Sequence, residues 1–415
     1  MFSNKVLIIG TVWPEPNSTA AGNRMLQIIE QFQLQNWEVI FVSAAAESEF
    51  MFDLKTINIT TKIIELNEAS FDEFVVKLNP TIVVFDRFMI EEQFGWRVAE
   101  NCPNCLRILD TEDLHFVRNI RHENYKNEKN TTEKDYLKSD LAKREIASIY
   151  RCDISLIISE TEMDLLTNIF KVDSQILHYL PFLLNEISEI DFESLPTFES
   201  RNHFITIGNF RHEPNWNAVL YLKETIWPLI RKQLPKAEMH VYGSYVTAKA
   251  TQLHNAAKGF LIKGRTENAK EEIKKAKVLL APLRFGAGIK GKLTDAMECG
   301  TASITTSIGA EAMHGNLEWN GIIEDDASAF ANAAVLLYSD EEKWKTAQKN
   351  GVEIINSRYN KTVFGNGFIE KIKTVQSNLE KHRMENFIGE LLQLQTLKST
   401  KYMSKWIEEK NKIVD

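Results

Sequence analysis

The stretch from Val278 to Gly300, VLLAPLRFGAGIKGKLTDAMECG, gathers residues suited to holding an anion. An apolar run ends at Ala281, and a loop follows with Pro282, Arg284, Gly286 and Gly288. Lys290 and Lys292 then flank Gly291, and a helical pattern carries Asp295. A glycine-rich turn lets backbone amides approach a phosphate, and the amino end of a helix offers free N–H groups and a positive dipole. Lysine and arginine add mobile and forked positive charge. A carboxylate about one turn into the helix can accept hydrogen bonds from ribose hydroxyls. A diphosphate joined to a ribose is what this arrangement suits. A glycine loop alone would be weak evidence; Arg284, Lys290 and Lys292 in the same loop make it stronger.

The first half holds two further candidates. TVWPEPNSTAAGNRM places Gly22 and Arg24 at the end of a proline-containing loop, where a plain strand–helix turn would look the same. RILDTEDLHFVR, Arg107 to Arg118, packs Asp110, Glu112, Asp113, His115 and Arg118 behind a strand-like run. Either His115 faces a ligand, with Asp113 orienting it or an acceptor hydroxyl, or Asp113 caps a helix and His115 merely packs. Glu311, in TTSIGAEAM, also follows a strand; it faces a cleft or is a helix-start acid.

The elements that must position these residues alternate. Strand-like runs fall at Val6–Ile9, Glu38–Val42, Ile82–Phe85, Leu106–Leu109 and Ile154–Ile158, with helical patterns at Asn23–Gln35 and Lys134–Tyr150. Residues 187–201 are polar and acidic, carry Pro196, and read as a linker. The pattern restarts with strands at Phe204–Ile207, Met239–Tyr242, Phe260–Ile262, Val278–Ala281 and Ala302–Thr305, and helices at Trp216–Gln233 and Leu293–Cys299. Short apolar strands separated by helices predict parallel sheets covered on both faces. The expected fold is therefore α/β: two Rossmann-like, doubly wound domains, 1–186 and 202–360, facing a central cleft. A helical extension follows at 361–415, part of it packing back on the first domain. Leu391, Leu392, Leu394, Leu397, Met403 and Trp406 give that extension a partly apolar face. Its use is packing on the body, or contact with a membrane surface or a second copy. In open α/β sheets ligands sit beyond the carboxyl ends of strands, so loops after strands carry the function.

Length and composition agree. A chain of 415 residues points to two domains, and 44% hydrophobic with 26% charged residues is ordinary globular composition. A net charge of -8 argues against general binding to nucleic acid. No apolar run approaches the roughly 18–20 residues needed to cross a bilayer. Val6–Ile9 reads as a buried strand and not as a signal, which predicts a cytoplasmic location, at most peripheral at the inner face of a membrane. The four cysteines predict reduced thiols, and Cys102-x-x-Cys105 lacks the second ligand pair of a zinc site.

The second half resembles the carboxyl-terminal domain of family 4 (group 1) glycosyltransferases, which have the GT-B fold. The resemblance runs through FITIGNFRHEPNWNAV, KAEMHVYGS, FLIKGRTE and PLRFGAGIKGKLTDAMECGTASITTSIGAEAM. It implies transfer of a sugar from a nucleotide-diphosphate sugar with retention at the anomeric carbon, without cofactor or obligatory metal. The family's diphosphate contacts fall on Gly208, Arg211 and Lys290, with Lys292 weaker. Its two glutamates, eight positions apart, fall on Ala287 and Asp295. Asp295 is a shorter acid that could still meet ribose. Ala287 has no functional group, so the resemblance leaves sugar recognition to the amides of Gly286 to Gly288 or to another element. The family's glycine-containing loop near the donor phosphates or acceptor falls near Gly22 and Arg24. Its histidine near the donor sugar falls on His115, or a shifted alignment puts Glu112 or Asp113 there. Family grounds alone suggest a bacterial surface-polysaccharide or protein-glycan pathway, with a glycan, lipid-linked or protein-linked acceptor.

The chain has no Asp-x-Asp pair, which metal-dependent transferases commonly use to hold the diphosphate through a cation; basic side chains and a helix dipole can do that work. A nucleotide-sugar epimerase would need an acid–base set that is not evident. A non-catalytic nucleotide-sugar-binding subunit stays open because of Ala287. A nicotinamide dehydrogenase is disfavoured, since no G-x-G-x-x-G follows the first strand of either half.

Overall fold

A computed structural model describes residues 4–412, without the side chains of 396–398. The first sheet comprises β1 (Lys5–Gly10), β2 (Glu38–Ser43), β3 (Thr60–Ile63), β4 (Ile82–Asp86), β5 (Leu106–Asp110), β6 (Ile154–Ile157) and β7 (Leu177–Tyr179). The second comprises β8 (Asn202–Ile207), β9 (Met239–Tyr242), β10 (Phe260–Gly264), β11 (Ala276–Ala281), β12 (Ala302–Thr305) and β13 (Gly321–Ile323). Their orders are β3-β2-β1-β4-β5-β6-β7 and β10-β9-β8-β11-β12-β13, parallel throughout. In each sheet the order reverses once, between β1 and β4 and between β8 and β11. That reversal splays the flanking loops and opens a crevice at the strands' carboxyl ends.

The strands read as continuous apolar runs because both faces are covered. In β1, Leu7 and Ile9 enter one core layer with Val83 and Phe85 of β4, while Val6 and Ile8 enter the other with Ile82 and Val84. The second sheet divides alike: Phe204, Val278 and Leu280 lie on one side, Ile205, Leu279 and Ala281 on the other. Period-two alternation of side chains makes this partition automatic. The chain passes between the domains near residues 184 and 360, and the crossings are tied: Leu184 N–H donates to Tyr359 O and Lys361 N–H to Leu184 O, both at 2.8 Å.

The described structure departs from the sequence-based expectation at the sheet edges. β3, β7 and β13 have three or four residues each and were not expected; β3 is largely exposed, so it carries no apolar signal. The Lys134–Tyr150 pattern is two helices, Glu133–Lys138 and Asp140–Arg151, separated by Ser139, whose hydroxyl caps the second. The 187–201 segment contains a helical turn, Glu189–Glu193, closed by a Ser188–Asp191 capping box. At the segment's end Arg201 is fully buried, donating to Thr301 Oγ1 at 2.6 Å and Cys299 O at 2.7 Å.

The carboxyl-terminal helices lie on the first domain. The Lys361–Ser377 helix supplies Phe368, Ile369 and Ile372 to its core, with the Phe368 ring tilted against Phe32 at 5.7 Å between centroids. The Phe387–Asn411 helix rests on the Phe88–Asn101 and Asp140–Arg151 helices. It docks through polar groups: Gln393 donates to Arg151 O at 3.0 Å, and buried Arg97 donates to Ser404 and pairs with Glu408. Leu391, Leu394, Met403 and Trp406 point outward, so the apolar face expected to pack on the body is mostly exposed. The side chain of Leu397 lies outside the described residues.

Between these helices, Arg383 donates to both oxygens of buried Asp153, at 2.7 and 2.8 Å, and to Cys105 O at 2.7 Å. Burial alone would push the Asp153 carboxyl up; Arg107 and Arg383 override it and hold it below the usual range. Arg383→Ala should lower unfolding free energy by about 2–4 kcal/mol, since it strands a buried carboxylate. A depressed carboxylate stabilises the fold above its unfolded pKa of about 4, and loses that contribution as pH falls further. The gap between variant and parent, measured by denaturant titration, should therefore close under acid.

Candidate active site in the interdomain cleft

The loops after β1, β5, β8 and β11 meet in a cavity of ≈ 540 Å³ between the domains. Its floor on the second domain is the Ala281–Lys292 loop and the amino end of the Gly291–Glu298 helix. Lys290 is 8% exposed, and its ammonium donates a hydrogen bond to the Gly288 carbonyl at 2.8 Å. Lys292 donates to Asn215 Oδ1, also at 2.8 Å. Among the described residues no carboxylate lies within salt-bridge distance of either ammonium. Burial pushes Lys290 down to about 8, with Glu311 opposing, and pushes Lys292 down to about 8 by itself. Two desolvated cations without a contacting anion are unfavourable in the empty protein.

The backbone makes room for them. A Cβ at Gly208 would stand 2.6 Å from the Asn215 side chain and 3.0 Å from Lys292 Nζ. Gly288 has φ +62, and a Cβ there would meet Asp113 Cβ at 2.8 Å, across the cleft. A side chain at 288 would prise the domains apart. Arg211 lies at the rim with its guanidinium 4.0 Å from the Tyr245 ring centroid. At the far end of the cavity Asp295 stands near the Lys270–Glu298 pair; burial pushes its carboxyl up to about 7, Lys270 opposing.

The first domain contributes an acidic and strained wall. Glu112, two residues after β5, has φ +62, and burial and Asp110 push its carboxyl up to about 8. Arg87, immediately after β4, has φ +73 and a buried Nε without a hydrogen-bond partner. Non-glycine residues in this region cost about 1–3 kcal/mol each and cluster at functional sites. Asp113 is salt-bridged to Arg118, which outweighs burial and holds its carboxyl below the usual range. His115 lies 3.6 Å from both Asp113 and Glu145 and sits edge-on to Phe88.

Asp113, His115, Gly208, Arg211, Gly286, Ala287, Gly288, Lys290, Lys292 and Asp295 thus all border one cavity. Three candidates do not. Arg24 is 1% exposed, and its guanidinium points inward to Asp110 at 2.9 Å and to Leu180 O at 2.7 Å; it joins strand ends and cannot reach a ligand. Gly22 is packed against the Glu15 backbone. Glu311 receives a bidentate ion pair from Arg121 of the first domain, at 2.6 and 2.8 Å, outside this cavity but on the lining of a second, smaller one between the domains. The capping alternative for Asp113 also fails, because Glu145 takes the amides of His115 and Phe116 and Glu162 takes that of Leu114. Arg87, Arg121, Asn215 and Glu162 were not singled out from sequence. Only Arg87 carried a signal, its place directly after a strand.

The cleft is stitched shut at both rims. Arg121 also donates to Gly286 O at 2.9 Å; opposite, Tyr245 OH donates to Glu15 at 2.8 Å. Lys292→Met should raise the melting temperature of the free protein, by removing a buried charge, while weakening pyrophosphate binding at least about tenfold. A lower melting temperature would assign Lys292 to the scaffold.

Residues 201–340 match the family model described as "Glycosyl transferases group 1". No curated protein matches the chain in sequence. Among solved structures, a glycosyltransferase from Rickettsia africae is 13% identical at TM-score 0.67, covering 91% of this chain and 100% of that one. A sucrose-phosphate synthase from Thermosynechococcus elongatus is 15% identical at TM-score 0.66, with the same coverage. HepE from Anabaena, solved with UDP and glucose, is 11% identical at TM-score 0.65, over 89% of this chain and 99% of that one. The likeness establishes the GT-B fold.

Proposed function

We propose that the chain is a retaining glycosyltransferase that moves a sugar from a nucleotide-diphosphate sugar to a hydroxyl of a glycan, lipid-linked or protein-linked acceptor. The carrying observation is the pair of buried lysines, Lys290 and Lys292, held by neutral partners at the end of the cleft's glycine loop. A diphosphate supplies the missing counter-charge. The match to a glycosyltransferase family model spans every second-domain residue of this floor, and a neighbour of like fold was solved with UDP and glucose. Both support the reading.

In this reading Lys290, Lys292 and Arg211 bind the diphosphate and stabilise the charge that builds on it as the glycosidic bond breaks, without a metal ion. Asp295 takes the ribose hydroxyls. The first-domain wall holds the acceptor hydroxyl close to the anomeric carbon, on the leaving-group side. The departing phosphate oxygen takes the acceptor's proton, so no protein nucleophile is invoked. His115 and Asp113 orient the sugar or the acceptor. Opening of the rim contacts admits substrate, and closure completes the site.

A panel of nucleoside diphosphates and their sugars should raise the melting temperature in at least one case, and Lys290→Ala should weaken that ligand at least about tenfold. Slow release of nucleoside diphosphate from the sugar conjugate marks an enzyme; binding without turnover across donors and acceptors marks a binding subunit. If no nucleoside diphosphate or conjugate shifts melting, the proposal is wrong. The lysines add a pH signature. Their folded pKa lies below the unfolded value of about 10.4, so both are largely neutral between pH 8 and 10 in the free protein. A bound diphosphate restores the charged form. Calorimetry in buffers of different ionisation enthalpy should show net proton uptake at pH 9 that disappears near pH 6.

A further inference from the structure

The glycine loop is a wall with two faces. Ala287 and Gly288 line the main cavity and also an adjoining one of ≈ 270 Å³. That volume equals about nine waters at liquid density, room for one pyranose ring. Between Gly286 and Ile289 the loop has no hydrogen-bonding side chain, so alone it offers a sugar only amides and a methyl group.

A carboxyl group reaches this wall from the other domain. Glu162, in the helix after β6, is 2% exposed. Its Oε1 accepts from Leu114 N–H at 2.9 Å and from Gly288 N–H at 3.1 Å, bridging the domains at the loop. Its Oε2 is buried and has no hydrogen-bond partner, though Glu162 lines the second cavity. A buried oxygen left unpaired costs about 1–3 kcal/mol, and such a group in a native fold needs a reason. Burial, with Asp113 adding, pushes the carboxyl up to about 8, so near neutral pH it carries a proton to donate. The other carboxylates lining this cavity are Glu133, Asp164 and Glu311; Arg121, its one lining cation, is already spent on Glu311 and Gly286 O.

We propose that the second cavity receives the sugar ring of the donor, that Glu162 Oε2 bonds one ring hydroxyl, and that the acidic lining selects neutral sugars over uronic acids. This rests on the donor reading above. With Glu162 protonated and Glu311 paired, Glu133 and Asp164 are the charges that repel a sugar carboxylate, and Arg121 is not free to offset them. Glu162 is then the specificity-determining residue that the loop itself lacks.

The test is calorimetric binding to the full chain of UDP, UDP-glucose, UDP-N-acetylglucosamine and UDP-glucuronate, with GDP and GDP-mannose as the alternative base. Wild type should bind a neutral conjugate at least tenfold more tightly than UDP-glucuronate. Glu162→Met also loses the Gly288 amide bond, so it is read as a ratio: the affinity that the sugar adds over the nucleoside diphosphate should fall at least fivefold. Glu162→Gln keeps an oxygen for both amides and an N–H donor in place of the acid proton, and should stay within twofold for both ligands. An unchanged sugar contribution in Glu162→Met overturns the proposal. So does parallel loss of nucleoside diphosphate and conjugate, which would make Glu162 only a support for the loop, or an effect confined to acceptor KM. Failure of wild type to bind either nucleoside diphosphate overturns the donor reading instead, and this inference with it.

Discussion

Everything at the cleft depends on keeping two ammonium groups out of water with no carboxylate in contact. Such a placement is unstable unless the surrounding structure is rigid enough to forbid the alternatives: swinging a lysine into solvent, or letting water in. Lys290 is enclosed because the glycine loop folds back over it and the loop's own Gly288 carbonyl accepts a hydrogen bond from its ammonium. Lys292 is enclosed because Gly208 leaves a gap that the Asn215 side chain fills. Neither arrangement lowers the energy of the empty protein. Both lower the energy of whatever anion arrives, because the work of desolvation and orientation is already done.

The loop that encloses the lysines could not hold its shape in the second domain alone. Glu162 binds the Gly288 amide, Arg121 binds the Gly286 carbonyl, and Asp113 sits where any Cβ at 288 would have to go. All three come from the first domain. Domain closure and loop geometry are therefore one event, and opening the cleft removes three restraints from the anion site together. The Arg24–Asp110 pair extends the same logic inward. Asp110 ends β5 just before the strained Glu112, and Arg24 ties it to the Leu180 carbonyl beyond β7. The first-domain wall is held by an interior ion pair that a ligand never touches.

Much of this was legible in the sequence, and the failures have physical causes. Central strands such as β1, β4 and β11 announce themselves because burial on both faces demands unbroken apolar runs. Edge strands such as β3 do not, since solvent relaxes that demand. The glycine–lysine loop was legible because glycines and lysines have few other reasons to alternate after a buried strand. The same rule that found Lys290 put Arg24 and Glu311 at the main cavity, where neither lies; Glu311 lines the second cavity instead. Both follow strands, but a strand-following charge can turn inward or toward the facing domain, and only its partner, Asp110 or Arg121, decides which. Those partners lie 86 and 190 residues away in sequence.

Glu162 marks where reading along the chain runs out. In sequence it is an unremarkable acid near the start of a short helix, where any acid is favoured by the dipole. Its importance comes from what faces it. A bare methyl at Ala287, looked at within the second domain, is a missing group; looked at across the cleft, it stands beside a buried carboxyl with one oxygen still free. A cleft built from two sheets can move a recognising group from one wall to the other without changing what a ligand between them would feel. The cationic end cannot be shared this way, because Lys290 and Lys292 belong to a loop that must close over them. In the proposed reading the sugar end can, and that difference accounts for why one half of the site is written in a single motif and the other is not.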